Sequence, residues 1–205
     1  VIGYLTLLRD EPRLSEELRQ KYTGIALEKA ERLEELINEF FEITRFNLSQ
    51  LHLEIGEVNL TRMLEQITHE FLPLLSDKAL TFQLDIEPDL VIPCDRNKME
   101  RVFDNLIRNA IHYSYDHSPI KIRAFQEEDV LNIHVANRGK TIPQDKLERI
   151  FEQFYRLDTS RGTRTGGAGL GLAITKEIVE RHGGTITASS ENETVEFKIV
   201  LPIAS

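Results

Sequence analysis

Residues Tyr22, Ile25/Ala26, Leu33, Leu36/Ile37, Phe40 and Ile43/Thr44 recur three and four positions apart, with one gap at Lys29. This spacing constrains the chain more than any other feature, because it draws one apolar stripe along a long helix. Glu28, Glu31, Arg32, Glu34, Glu35 and Glu39 take the opposite side, where water solvates them. Upstream, Asp10-Glu11-Pro12 interrupts a shorter helical piece, Val1 to Arg9, and a proline there suits a turn between two antiparallel helices. Nine residues in one arm cannot cover more than thirty in the other. The uncovered stripe therefore predicts a second copy of the chain, two truncated hairpins completing a four-helix bundle. The plainer alternative packs the stripe on the remainder of the same chain.

From about Gly56 the pattern becomes mixed. Asn59 is placed to cap a helix from Leu60 to about Leu75, and Leu80–Ile86 then reads as a strand. Val91-Ile92-Pro93 is a second short apolar run, and Asp95 opens a helix through Asn109 to about Tyr113. Ile120–Phe125 and Val130–Val135 alternate like paired strands around Glu127-Glu128-Asp129. A helix is expected around Gln144–Phe154, followed by a Gly/Thr/Arg-rich stretch, Thr159–Gly167. The last helix, about Leu170–Arg181, meets a glycine stop at Gly183-Gly184, and strands near 185–189 and 195–201 close the chain. The expected organisation is a hairpin over 1–51, a linker over 52–58 and an α+β domain over 59–205, with helices on one face of a sheet.

Composition narrows the function classes. The 205 residues are 40% hydrophobic and 29% charged, which suits a packed globular protein and excludes wholesale disorder. No apolar run reaches the roughly 18–20 residues of a membrane helix, so no membrane contact is expected of this stretch. No secretory signal is visible at Val1. A net charge of −9 argues against nucleic acid as a ligand. The lone Cys94 forms no internal disulfide and reads as a small packing residue of a reducing compartment.

Four short segments are candidates for chemistry. Gly166-Gly167-Ala168-Gly169-Leu170-Gly171-Leu172 enters a helix, where backbone N–H groups attract phosphate and glycine permits close approach. It fits neither a dinucleotide fingerprint nor a P-loop, and by itself such a helix start is a mobile surface loop about as often as a phosphate site. Asn105 and Asn109 stand four apart on one helical face; an amide oxygen is a hard ligand suited to Mg²⁺, although two surface asparagines would look the same. Asn137-Arg138-Gly139-Lys140-Thr141-Ile142 runs from a strand into a turn, and an asparagine there can match the edge of adenine. In Phe151-Glu152-Gln153-Phe154-Tyr155-Arg156 two aromatics at i and i+3 suit core packing, and Arg156 suits a terminal phosphate.

In order and spacing these four segments resemble the N, G1, F and G2 boxes of sensor histidine kinases, whose ATP-binding domain has the Bergerat fold shared with gyrase and Hsp90. At finer grain, Gly3-Tyr4-Leu5, Glu39–Arg45 and Phe154–Asp158 resemble the glycopeptide-resistance sensors of that family. The resemblance implies a magnesium ion on Asn109 with Asn105 nearby, and Tyr113 against the adenine ring. It implies base recognition by Asn137 in a pocket shaped by Gly139 and Ile142. Phe154 and Arg156 would lie beside the nucleotide, Arg156 on the γ-phosphate. Gly167, Gly169, Leu170, Gly171 and Leu172 would cradle the phosphates under a lid from about Leu157 to Gly166. ATP and Mg²⁺ are then the implied cofactors. A homodimer and a response-regulator receiver domain are the implied partners, and the cytoplasmic part of a membrane-anchored protein is the implied location.

Several positions depart from that family's pattern. Asn137 replaces the usual Asp, Thr141 replaces a glycine, and His112 stands where a lysine often assists the phosphates. The family's phosphoacceptor histidine, followed by an acidic residue and then a proline, matches none of His52, His69, His112, His117, His134 or His182. The resemblance places that motif just upstream of Val1, so the fragment is expected to bind Mg-ATP without labelling itself. Two competing readings are a gyrase/Hsp90-type ATPase and a dimerisation module with a decayed nucleotide site. The first needs a water-activating carboxylate where Asn105 and Asn109 carry amides.

Overall fold

A computed structural model describes residues 2–11, 14–47, 52–157 and 169–203. The chain divides into two compact units, Val1–Leu51 and His52–Ser205.

The first unit is helical. Helix α1 spans Ile2–Asp10 and α2 spans Glu16–Asn47. Ser15 starts α2, its Oγ accepting from Leu18 N at 3.3 Å. The rings of Tyr4 and Tyr22 meet at 5.8 Å between the two helices. Leu33 and Ile37 of the stripe are exposed, as are Ile2 and Leu5 of α1. The side chains of Leu36, Phe40, Ile43 and Thr44, and the turn at Pro12, lie outside the described residues.

The second unit is a mixed five-stranded sheet with helices on one face. Strand β1 (Gly56–Asn59) lies in the stretch read as a linker and pairs antiparallel with β3 (Val91–Cys94). The main sheet has the order β2-β4-β5-β7-β6, from Thr81–Ile86, Pro119–Glu127, Val130–Arg138, Thr194–Pro202 and Thr185–Glu191. Only β2 and β4 run parallel, joined by a crossover through β3 and helix α4; the remaining pairs are antiparallel. In β4, β5 and β7 alternate residues point to the buried face, among them Ile120, Ile122, Ala124, Leu131, Ile133, Val135, Phe197 and Ile199. The covering helices are α3 (Leu60–Leu75), α4 (Arg96–Tyr113) and α5 (Gly171–Arg181). Met99, Val102, Phe103, Leu106 and Ile107 form the apolar stripe of α4, and none is more than 1% exposed.

The helix boundaries follow from the capping chemistry. Asn59 Oδ1 accepts from Arg62 N at 2.9 Å, and Asp95 Oδ1 from Lys98 N at 3.1 Å. Gly183 at φ +74 ends α5, with Gly184 N donating back to Val179 O at 3.0 Å. His182 Nε2 then accepts from Asp95 N at 3.0 Å, fastening the end of α5 to the start of α4.

One expected element does not form. Instead of a helix over 144–154 there are two single 3-10 turns, Gln144–Lys146 and Arg149–Phe151. Glu152 is extended, and Phe154 takes a left-handed φ of 63° so that its N–H can reach Gly169 O at 3.0 Å. A helix cannot pass through that backbone. Only Phe151 therefore packs inward, edge-on to Phe197, whereas Phe154 is 62% exposed.

Candidate nucleotide site

The candidate residues come from four segments, and the second half of α4 joins them. Asn105, Asn109, His112 and Tyr113 all stand on that helix. Toward α5, Asn105 Nδ2 donates to Gly171 O at 3.0 Å and to Thr175 Oγ1 at 3.3 Å. Toward β5, Ser114 forms a bridge with Gly139, and Tyr115 N donates to Arg138 O at 2.8 Å. A Cβ on Gly139 would collide with Tyr113 O, so only glycine lets the turn lie this close to the end of α4.

That close turn is held from its other side as well. Gly139 N donates to Glu193 O at 2.9 Å, Thr141 Oγ1 accepts from Glu193 N at 3.1 Å, and Ile142 N donates to Ser190 Oγ at 2.9 Å. The hydroxyl of Thr141 thus pins the turn to the β6–β7 hairpin, a role that glycine could not fill. Ile142 is buried. Asn137, at the end of β5, is 4% exposed, and its Nδ2 has no hydrogen-bond partner among the described residues. A buried amide donor left without a partner costs about 1–3 kcal/mol.

The α5 end of the candidate site is the turn Gly169–Leu170 and the first residues of α5. Leu170 occupies the cap position, and its side chain offers the first-turn N–H groups no acceptor. Gly169 has φ +80, and a Cβ on it would press to 2.9 Å from Tyr155 O. Leu170 is buried and anchors the turn, and Leu172 is half-buried. Gly167 and the stretch 158–166 of the expected lid lie outside the described residues.

The electrostatics centre on His112. Its imidazole is held below the usual range first by burial, then by the positive charges of Lys78 and Arg156. Arg156, exposed on the segment after Phe154, is therefore close enough to His112 to be felt. The His112 ring lies edge-on to Tyr113 at 4.6 Å, and Tyr113 is half exposed. Lys78 Nζ donates to Ile111 O at 3.0 Å, His112 O at 2.6 Å and Ser114 O at 3.2 Å, closing the C-terminal end of α4. Sequence patterns gave no hint of Lys78 or Thr175, since both belong to no motif and act only through the fold.

Among the described residues no group of three or more His, Cys, Asp or Glu comes together to hold a metal. The half-buried Asn109 carries an amide oxygen, the kind of ligand a magnesium ion takes alongside phosphates and water.

The family described as histidine kinase-, DNA gyrase B- and HSP90-like ATPase matches residues 94–205, and the chain belongs to it. Within that family the chain is sensor histidine kinase in character and similar to VanS. It is 54% identical over 202 residues to the sensor protein VanSC of Enterococcus gallinarum, covering 98% of this chain and 56% of that one. Identity to the sensor protein VanS of Enterococcus faecium is 48% over 202 residues, with 98% and 52% covered. The chain thus spans little more than half the length of either relative. Among solved structures, the catalytic domain of histidine kinase ThkA superposes with a TM-score of 0.66 at 30% identity, over 73% of this chain and 96% of that one. ThkA in complex with the response regulator TrrA superposes with a TM-score of 0.74 at 25% identity, over 98% and 56%.

Proposed function

We propose that this chain is the catalytic core of a sensor histidine kinase that binds Mg-ATP and passes the γ-phosphoryl group to a histidine outside it. The observation that carries this reading is the unsatisfied, buried Nδ2 of Asn137 at the end of β5, in the same unit as the uncapped start of α5. In this reading Asn137 reads the base between Ile142 and Tyr113, and the Gly169–Leu172 backbone takes the phosphates. Asn109 supplies an oxygen to magnesium, which neutralises charge on the triphosphate when bound. Asn105 holds the first turn of α5 in place, and Phe154 and Arg156 flank the γ-phosphate. The bond from the γ-phosphorus to the β–γ bridging oxygen breaks as the imidazole nitrogen bonds to phosphorus, leaving ADP and releasing the ring proton.

From the acceptor histidine the phosphoryl group passes to an aspartate of a response-regulator receiver domain. ThkA, which shares the fold, has been solved with such a regulator. The apolar side chains exposed on α1 and α2 support homodimerisation through the hairpin. The likeness to VanS supports a role in glycopeptide-resistance signalling, as the cytoplasmic part of a membrane-anchored sensor. No described helix is long and apolar enough to cross a membrane.

Titration calorimetry with ATP, with and without magnesium, tests the nucleotide reading. Mg-dependent binding is expected, and its absence overturns the reading. Incubation with radiolabelled ATP should label a separate hairpin carrying the acceptor histidine but not the chain itself. Asn109→Ala should abolish that transfer; undiminished transfer would remove Asn109 from the metal site.

A further inference from the structure

We propose that Asn137 makes the base pocket accept 6-oxopurine nucleoside triphosphates alongside ATP. The inference rests on the nucleotide reading above and concerns which base that site takes. Asn137 is buried at the end of β5, and no described group holds its Nδ2. Among the described residues no partner of Nδ2 therefore fixes which end of the amide is oxygen and which is nitrogen.

The two orientations suit two bases. With Oδ1 toward the exocyclic group, the amide accepts from the 6-amino group of adenine while Nδ2 donates to a ring nitrogen. Turned over, Nδ2 donates to the 6-oxo group of hypoxanthine or guanine while Oδ1 accepts from N1–H. The turn exchanges an NH2 for an oxygen of nearly the same size. A carboxylate at this position would present only acceptors and would repel a 6-oxo group, because a buried negative charge facing a carbonyl oxygen has no compensating donor.

Calorimetry on the 205-residue chain with magnesium and, in turn, ATP, ITP and GTP tests this directly. ITP is the decisive probe, since it lacks the 2-amino group of GTP. Native chain should bind ITP within about tenfold of ATP, and Asn137→Asp should raise the ratio of ATP to ITP affinity at least tenfold. ATP binding with ITP more than a hundredfold weaker would overturn the inference while leaving the nucleotide reading intact. An Asn137→Asp chain that melts like the native one yet shows an unchanged ratio would also overturn it. Absence of binding by all three nucleotides would overturn the nucleotide reading and this inference together. The native ratio needs no variant, so the test stands even where the substituted chain does not fold.

Discussion

The Asn105 side-chain nitrogen donates to the Gly171 carbonyl at 3.0 Å, tying the middle of α4 to the first residue of α5. The same carbonyl accepts from Thr175 Oγ1 at 2.9 Å, and Thr175 is fully buried. Asn105→Ala removes the inter-helix bond but leaves Thr175 on the carbonyl, so the cost stays low, about 1 kcal/mol. A urea titration should show the midpoint lowered accordingly. Because the first turn of α5 is the proposed phosphate cradle, Mg-ATP affinity should fall as well.

Glycine substitutions should split by location. Gly139→Ala drives a methyl into Tyr113 O at the end of α4 and toward Asn137 Nδ2 at the end of β5. It should destabilise by about 1–3 kcal/mol. Gly24 in α2 has no atom near its would-be Cβ, so Gly24→Ala should stabilise the helix by roughly 0.5–1 kcal/mol. Thermal melts of the two variants should move in opposite directions.

His112 should leave a mark on the pH dependence of stability. Its folded pKa lies below the ordinary 6.5, through burial first and then Lys78 and Arg156. Between that lowered value and 6.5 the unfolded chain binds more protons, so stability rises with pH across the window and is fully present above it. Denaturation at a series of pH values should show His112→Gln flattening this acid-side slope. An unchanged slope would mean that the folded imidazole titrates as it does in the unfolded chain.

Cys94 should be inert while the chain is folded. It is 1% exposed, and its thiol is pushed up to about 11, chiefly by burial and then by the charge of Asp95. Iodoacetamide at mildly alkaline pH should modify it only in denaturant. Prompt labelling of native protein would show that β3 opens.

Much of this architecture could be read from residue order. Asn59 and Asp95 announced the starts of α3 and α4, and Gly183-Gly184 the end of α5, because capping is local chemistry that sequence records directly. The helix expected over 144–154 failed for the opposite reason. Its apolar spacing was helical, but a long-range bond from Phe154 N to Gly169 O imposed a left-handed residue that no local pattern reveals. Strand β1 was hidden likewise, since Gly56–Asn59 becomes a strand only by pairing with Val91–Cys94. At the site, the positions of Asn105, Asn137, Gly139 and Gly169 in the four motifs were legible. The fastening of Asn105 by Thr175, of Gly139 by Glu193 and of Ile142 by Ser190 was not, because those residues meet only after folding.

Lys78 gives the two helix ends of this unit different electric faces. By gathering three carbonyls on one ammonium, it cancels the negative pole that the tail of α4 would otherwise project. At the head of α5 the cap residue Leu170 offers no side-chain acceptor, so it does nothing to offset the positive pole there. For the triphosphate proposed above, this would mean attraction toward one terminus without repulsion from the other, through a lysine that need never touch it.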